Sequence, residues 1–211
     1  MSTFGLMQER IRDELNRGTT YDEPIRKAIA LAIDHYKHRR FTWNIKRAAT
    51  TTTAGTEYYP FPSDFLEADL MRILYTSGDF TDPMDQVTYL WIEEHRHNVN
   101  YRSEPEKFAV QGNDMRVWPV PDGAYELTLT YLYEDTTVSA SASDGATNNW
   151  MTDGFEMIKS RAKADVLENQ VRGQDAFLEA ALNKTRENDA FKTLRRQAGR
   201  YHSSGKLTPS L

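Results

Sequence analysis

Apolar residues recur every three to four positions at both ends of this chain and every second position through its middle. In residues 4–16, Met7, Ile11 and Leu15 share one face of an expected helix that Gly18 ends. Thr20 and Glu23 have capping-box spacing, and Pro24 suits a first helical turn. Ile25, Ala28, Ile29, Ala32, Ile33 and Tyr36 then form a sustained buried stripe. That second helix closes in Lys37, His38, Arg39 and Arg40, cations that favour a helix C-terminus.

Residues 41–133 change character. The β-branched run 50–53, a turn at Ala54-Gly55 and an extended Glu57-Tyr58-Tyr59 predict a hairpin. Further strands are expected at 70–76, 108–111, 115–120 and 125–133, with a short helix over 86–96. Asn113-Asp114 and Asp122-Gly123 supply turns. In the last strand Leu127, Leu129, Tyr131 and Tyr133 face one way, Glu126, Thr128 and Thr130 the other.

Residues 136–149 are small and polar, a mobile loop near the ~12–15-residue limit for unstructured connections. Helical spacing returns with Trp150, Met151, Phe155, Ile158, Ala162 and Val166, and Gly173 separates this helix from the last. The last helix begins with an apolar side at Leu178, Ala181 and Leu182. It then runs through 183–189 without one apolar residue, as a helix awaiting a partner does. Phe191, Leu194 and Ala198 follow, and 201–211 reads as a tail disordered when free. The fold class is therefore α+β. Helical hairpins from both ends (1–45 and 150–200) build an α-helical core, and a central antiparallel β insertion (46–135) lies between them.

Composition narrows the function. With no cysteine among 211 residues, disulfides, thiolate metal sites and a cysteine nucleophile are excluded. No apolar run approaches the ~20 residues of a spanning helix, and no signal peptide is visible, so a soluble chain is expected. The net charge of -5 hides an asymmetry. Residues 48–135 hold 16 acids and 5 bases, whereas 184–211 hold 7 bases and 2 acids. A basic tail on an acidic body suits either nucleic acid or docking to an acidic protein surface.

Catalytic patterns are thin. His95 and His97 would share a face on a strand but diverge on a helix, and His35 and His38 sit in a basic helix end. Asp64, Glu67, Asp69, Glu93 and Glu94 are acids without a distinctive context for paired-carboxylate hydrolysis. Phosphate-binding glycine loops and a nucleophile elbow are missing from the sequence. The residues point to no enzyme, metal or cofactor. Of the aromatics Tyr58, Tyr59, Phe61, Phe65, Trp91, Trp118, Tyr131 and Tyr133, most are expected in a core and part at a contact rim.

The order of several phrases resembles the head-to-tail adaptor, or head-completion, proteins of short-tailed phages. The early helix Ala28-Ile29-x-x-Ala32-Ile33-x-x-Tyr36 is followed by Trp43. Tyr59-Pro60-Phe61-Pro62-x-Asp64-Phe65-Leu66 comes next, then Glu104 to Val110, then Val117-Trp118-Pro119-Val120-Pro121 and a strand ending at Tyr131. Trp150 opens the return helix. The loop 136–149 matches nothing in the resemblance.

The resemblance implies a virion structural protein at the head–tail junction, assembled in the host cytoplasm. It implies a ring of about twelve copies under the portal protein, extending the DNA channel and presenting a platform for a nozzle or tail-hub protein. DNA would pass an acidic channel without specific binding, and no membrane is involved. The tail residues Arg195, Arg196, Arg200, Tyr201, Lys206 and Leu207 are expected to dock on the portal. Lys184, Arg186, Glu187 and Asp189 are expected at the ring interface. Two rival readings are a DNA-binding or packaging factor using the basic tail, and a tail-associated cell-wall hydrolase using the acids.

Overall fold

A computed structural model describes residues 2–16, 18–96, 101–171 and 173–203, with 199–203 described by backbone alone. In chain order the elements are α1 (Phe4–Leu15), α2 (Asp22–Tyr36), β1 (Ile45–Thr51), β2 (Tyr58–Pro60), β3 (Phe65–Leu74), β4 (Asp85–Gln86) and α3 (Tyr89–His95). There follow β5 (Lys107–Gln111), β6 (Asp114–Trp118), β7 (Glu126–Tyr133), α4 (Asn149–Thr152), α5 (Phe155–Asn169) and α6 (Gln174–Ser203). The chain divides into two compact units: a helical one, Met1–Asn44 with Asp135–Leu211, and a β-rich one, Ile45–Glu134. The fold is α+β, with helices and sheets segregated along the chain.

In the helical unit Thr3 caps α1, accepting from Leu6 N at 3.2 Å. The helix stops at Asn16, which turns left-handed at φ 50 and returns its N–H to Arg12 and Asp13. The stop therefore lies two residues before Gly18. The capping box expected at Thr20 and Glu23 does not form. A 3₁₀ turn over Thr19–Tyr21 feeds straight into α2, so the backbone itself supplies the entry.

The apolar stripe of α2 is buried as its spacing predicts, against Phe4, Met7 and Ile11 of α1 and the return helices. Each isoleucine so removed from water contributes about 1.5–3 kcal/mol, and each alanine less. Helix α5 is the centre of the unit: Met157, Ile158, Ser160, Ala162, Lys163, Ala164, Val166 and Leu167 are all buried. Helix α6 returns along it, since Lys184 meets Glu168 and Arg161 meets Glu187 further on.

The packed side of α6 differs from the sequence expectation. Ala176, Ala180, Asn183, Glu187 and Ala198 face inward, while Phe177, Leu178 and Leu182 are 62%, 65% and 61% exposed. Alanines at one-turn spacing let α6 lie close to α5, where Glu187 finds Arg161, while Asn183 donates to Glu179 O one turn back on α6. Apolar character thus marks the outer side only in the first turns of this helix, whereas Phe191, Leu194 and Ala198 further along pack inward as expected.

The loop 136–149 is tied to the helices. Phe4 N and Gly5 N donate to Ala146 O and Asp144 O at 2.8 and 2.9 Å. Arg26 donates to the carbonyl oxygens of Ala140 and Ala142, to Gln8 Oε1 and to Asp144 Oδ1. A Cβ on Gly5 would come within 2.7 Å of Asp144 Cβ, so only glycine permits this approach.

In the β-rich unit the strands form two sheets, ordered β1-β7-β3 and β2-β6-β5-β4. The hairpin expected over 50–59 is absent: β1 pairs with β7 and β2 with β6. Strands close in sequence are separated because each finds a longer apolar partner elsewhere. The β5–β6 hairpin does form, but its two-residue turn is Gly112-Asn113, one residue before the expected Asn113-Asp114: Gln111 pairs with Asp114, and Gly112 takes φ 62. Pairing between these strands is antiparallel except for the two-residue β4–β5 contact, and an isolated bridge joins Arg102 and Val120 in parallel. Strand β7 is central in its sheet, and Thr128 and Leu132 are buried as well as Leu127, Leu129 and Tyr131. Strict alternation fails there because both faces are covered.

Candidate interaction surfaces

Helix α2 ends in the basic run, and the chain bends sharply after it. Asn44, only 2% exposed, fixes that bend: its Oδ1 accepts from Phe41 N at 2.8 Å and its Nδ2 donates to Arg39 O at 2.6 Å. Held this way, His38, Arg39 and Arg40 surround a hollow of about 430 Å³ with Phe41, Phe191 and Arg195. Phe41 and Phe191 meet edge to face at 6.1 Å beneath it. Among the described residues that line this hollow none is a carboxylate, and Arg40 is engaged with a partner of its own. The sequence reading separated these cations, because Arg39 and Arg195 lie 156 positions apart and only folding joins them.

The residues expected at the portal therefore divide. Arg195 lines the hollow, and Arg196 is exposed beside it in sequence. The side chains of Arg200 and Tyr201, and Lys206 and Leu207 entirely, lie outside the described residues, as does most of the expected tail 201–211.

The residues expected at a ring interface divide too. Arg186 and Asp189 are exposed, and Lys184 is exposed and paired with Glu168 at 2.6 Å. Glu187 is turned inward, 8% exposed, accepting from Tyr36 Oη and from Arg161 Nη1 at 2.8 Å. Burial, then the Glu187 hydrogen bond, pushes the Tyr36 phenol up. Burial and the nearby Arg161 hold His35 below the ordinary histidine range. On the outer side of α6, Leu178, Leu182 and Asp189 stand at i, i+4 and i+11, one exposed stripe.

Lys163, 4% exposed, links three helices through Glu14 on α1 at 3.3 Å and Glu179 on α6 at 2.7 Å. Burial alone would raise the Glu14 carboxyl, but hydrogen bonds from Lys159 and Lys163 outweigh it and hold the group below its ordinary value.

In the β-rich unit the centre of charge is Arg116, fully buried in the middle of β6. Its guanidinium bonds Glu93 of α3, meets Glu57 at 3.4 Å, and lies 5.3 Å from the Tyr58 and Tyr89 rings. Desolvation alone would lower its pKa, yet Glu93 and Glu57 raise it above the ordinary value. The short helix α3 is thus held by the Glu93 ion pair and Tyr89, by Arg96 at its end pairing with Glu57 at 3.4 Å, and by the buried Ile92.

Two of the carboxylates considered for hydrolysis, Asp64 and Glu93, have structural partners. Asp64 bonds Lys46 at 2.7 Å and Tyr131 at 2.9 Å. Burial and that Asp64 bond push the Tyr131 phenol up to about 12. Glu93 belongs to the Arg116 cluster, and Glu67, Asp69 and Glu94 lie exposed. His95 Nδ1 donates to Trp91 O at 2.8 Å and its ring stacks on Trp91 at 3.8 Å; His97 lies outside the described residues. Among the described residues no group of three or more His, Asp or Glu could hold a metal ion. No helix among them is long and apolar enough to cross a membrane.

Of the aromatics, Tyr59, Phe61 and Tyr131 are buried, with Phe65 and Tyr133 packed against that core. Trp91 and Trp118 are half-buried against each other, edge to face at 5.6 Å. The connection after β3 forms a tight turn carrying exposed Tyr75 and Phe80. Tyr75 N donates to Asp79 O at 2.9 Å, and Thr81 N to Ile73 O at 3.0 Å. Asp79 and Asp82 flank Phe80 and are exposed, and Glu104 accepts from Tyr75 Oη at 2.7 Å.

A family model described as SU10 adaptor protein matches residues 2–208. No curated protein matches the chain.

Proposed function

The chain belongs to the SU10 adaptor protein family, phage structural adaptors, and on that footing we propose that it forms a ring under the portal. The ring, of about twelve copies, extends the DNA channel and offers the tail its attachment platform. Its work is structural, and it binds portal, tail protein and its own copies. It is placed at the head–tail junction of the virion after assembly in the host cytoplasm.

The observation that carries this reading beyond the family is the exposed apolar stripe of α6. Three large side chains more than 60% exposed on one helix side mark a protein contact, because isolated soluble surfaces seldom group them so. Leu178, Leu182, Arg186 and Asp189 supply the α6 part of the contact between ring neighbours. The C-terminal segment from Arg196, with Arg200, Tyr201, Lys206 and Leu207, docks on the portal. The β-rich unit, with 15 acids against 7 bases, suits a conduit from which phosphates are repelled.

Mixing the protein with its cognate portal and weighing the complex by mass photometry tests this reading. The expected gain is about one copy per portal subunit. A second sample truncated before Gly199 keeps the packed Ala198 and so the fold, and is expected to lose attachment. No mass gain from the full chain, with both partners folded, removes the portal reading. Normal attachment of the truncated chain removes the docking segment alone.

A further inference from the structure

The basic hollow of the helical unit and the acidic aromatic turn after β3 match each other in chemistry. The hollow sets His38, Arg39 and Arg195 around Phe41 and Phe191, and none of its described lining residues is a carboxylate; Arg40 has a partner of its own. The turn sets Asp79, Asp82 and Glu104 around Tyr75 and Phe80, which are 38% and 44% exposed. Arg47, 6.0 Å from the Phe80 ring, is the nearby cation. Both features are held by hydrogen bonds. Asn44 staples the bend that carries the arginines, and backbone hydrogen bonds from Tyr75, Gly78 and Thr81 hold the turn. Preformed partners lose little freedom on association.

Charge favours the same pairing at larger scale. The β-rich unit carries 15 acids and 7 bases, a net of -8, and the helical unit 16 acids and 19 bases, a net of +3. A positive patch on one copy and a negative patch on the next steer encounter and fix register.

We propose that the basic hollow of one copy receives the acidic aromatic turn of a second copy. Asp79 and Asp82 lie against Arg39 and Arg195, and Phe80 lies against Phe191. The two surfaces differ, so the contact is head-to-tail and closes into a ring when its rotation allows. It rests on the ring reading above and supplies that ring with a polar contact beside the apolar one on α6.

Two charge-reversed variants of the full chain decide the matter. One carries Arg39→Glu and Arg195→Glu, the other Asp79→Arg and Asp82→Arg. Assembly is followed by sedimentation at low salt and by copy number on the portal. Each variant alone is expected to associate about tenfold more weakly than the natural chain, because like charges now face each other. Mixed in equal amounts they are expected to assemble again as alternating copies, and that recovery itself shows both are folded.

A disulfide trap is independent of these substitutions. Arg39→Cys with Asp82→Cys in one chain, which has no other cysteine, should give a ladder of covalent multimers on a non-reducing gel. A portal-bound ring indifferent to both reversals, or one weakened by them without recovery on mixing and without a ladder, overturns this contact and leaves the ring reading standing. Loss of binding to a short DNA duplex in Arg39→Glu/Arg195→Glu, with assembly unaffected, overturns it in favour of a phosphate site. A chain that neither self-associates nor gathers on the portal overturns both readings.

Discussion

Tyr36 and Glu187, 151 positions apart, meet inside the helical unit, where the phenol donates its hydrogen to Glu187 Oε1. The same oxygen receives Arg161 Nη1, so α2, α5 and α6 converge on one carboxylate. In sequence Glu187 belongs to the most polar stretch of α6, yet it works as an internal fastener.

Replacing Glu187 by Ala leaves Tyr36 without its acceptor and Arg161 without its counter-charge. The expected loss is about 2–4 kcal/mol, read as a lower urea midpoint with unchanged slope. Arg186→Ala and Asp189→Ala, on the exposed side, should stay within about 0.5 kcal/mol of the natural chain. Equal effects from all three would sink the inward role of Glu187.

Arg116→Ala empties a fully buried site and removes the cation between Glu93 and Glu57, though Glu57 keeps Arg96 at 3.4 Å, and a loss of about 1–3 kcal/mol is expected. Arg116→Lys recovers little, because an ammonium cannot reach both carboxylates and lie between two tyrosine rings. Amide exchange over 89–95 should accelerate in both variants, since Glu93 is an ion-pair anchor of α3. Unchanged exchange there would show that α3 is held by other contacts.

Glu14 gives a pH signature. Its folded pKa lies below the ordinary 4.5, so its contribution is complete above that value and fades as pH falls through the lower folded value. With the group partly exposed, the contribution is roughly 0.5–1 kcal/mol. The stability gap between the natural chain and Glu14→Gln should be constant from pH 7 to about 5 and narrow below 4.5. A gap that widens on acidification contradicts the assignment.

What the sequence could reveal depended on whether a residue's neighbours are near in the chain. The α2 stripe from Ile25 to Tyr36 was legible because helical periodicity is local, and every member is buried. The β5–β6 hairpin was legible, to within one residue of its turn, because two matched runs lie within twelve residues. The hairpin over 50–59 was misread because strand pairing is a competition between distant segments. Thr50 finds Leu127, and Tyr59 finds Met115.

By itself, then, the sequence determined the α+β class, the helical ends, the strand-rich middle, and the order of phrases that resembles phage adaptors. Those follow from periodicity and from short motifs. Only the tertiary structure decided which side of α6 packs, where Glu187 points, how Arg26 pins the loop 136–149, and that Arg195 joins Arg39 and Arg40 in one hollow. Each of those is settled by groups more than a hundred positions apart or by the backbone's need for close approach. Hydrophobicity read along a single helix carries no record of either.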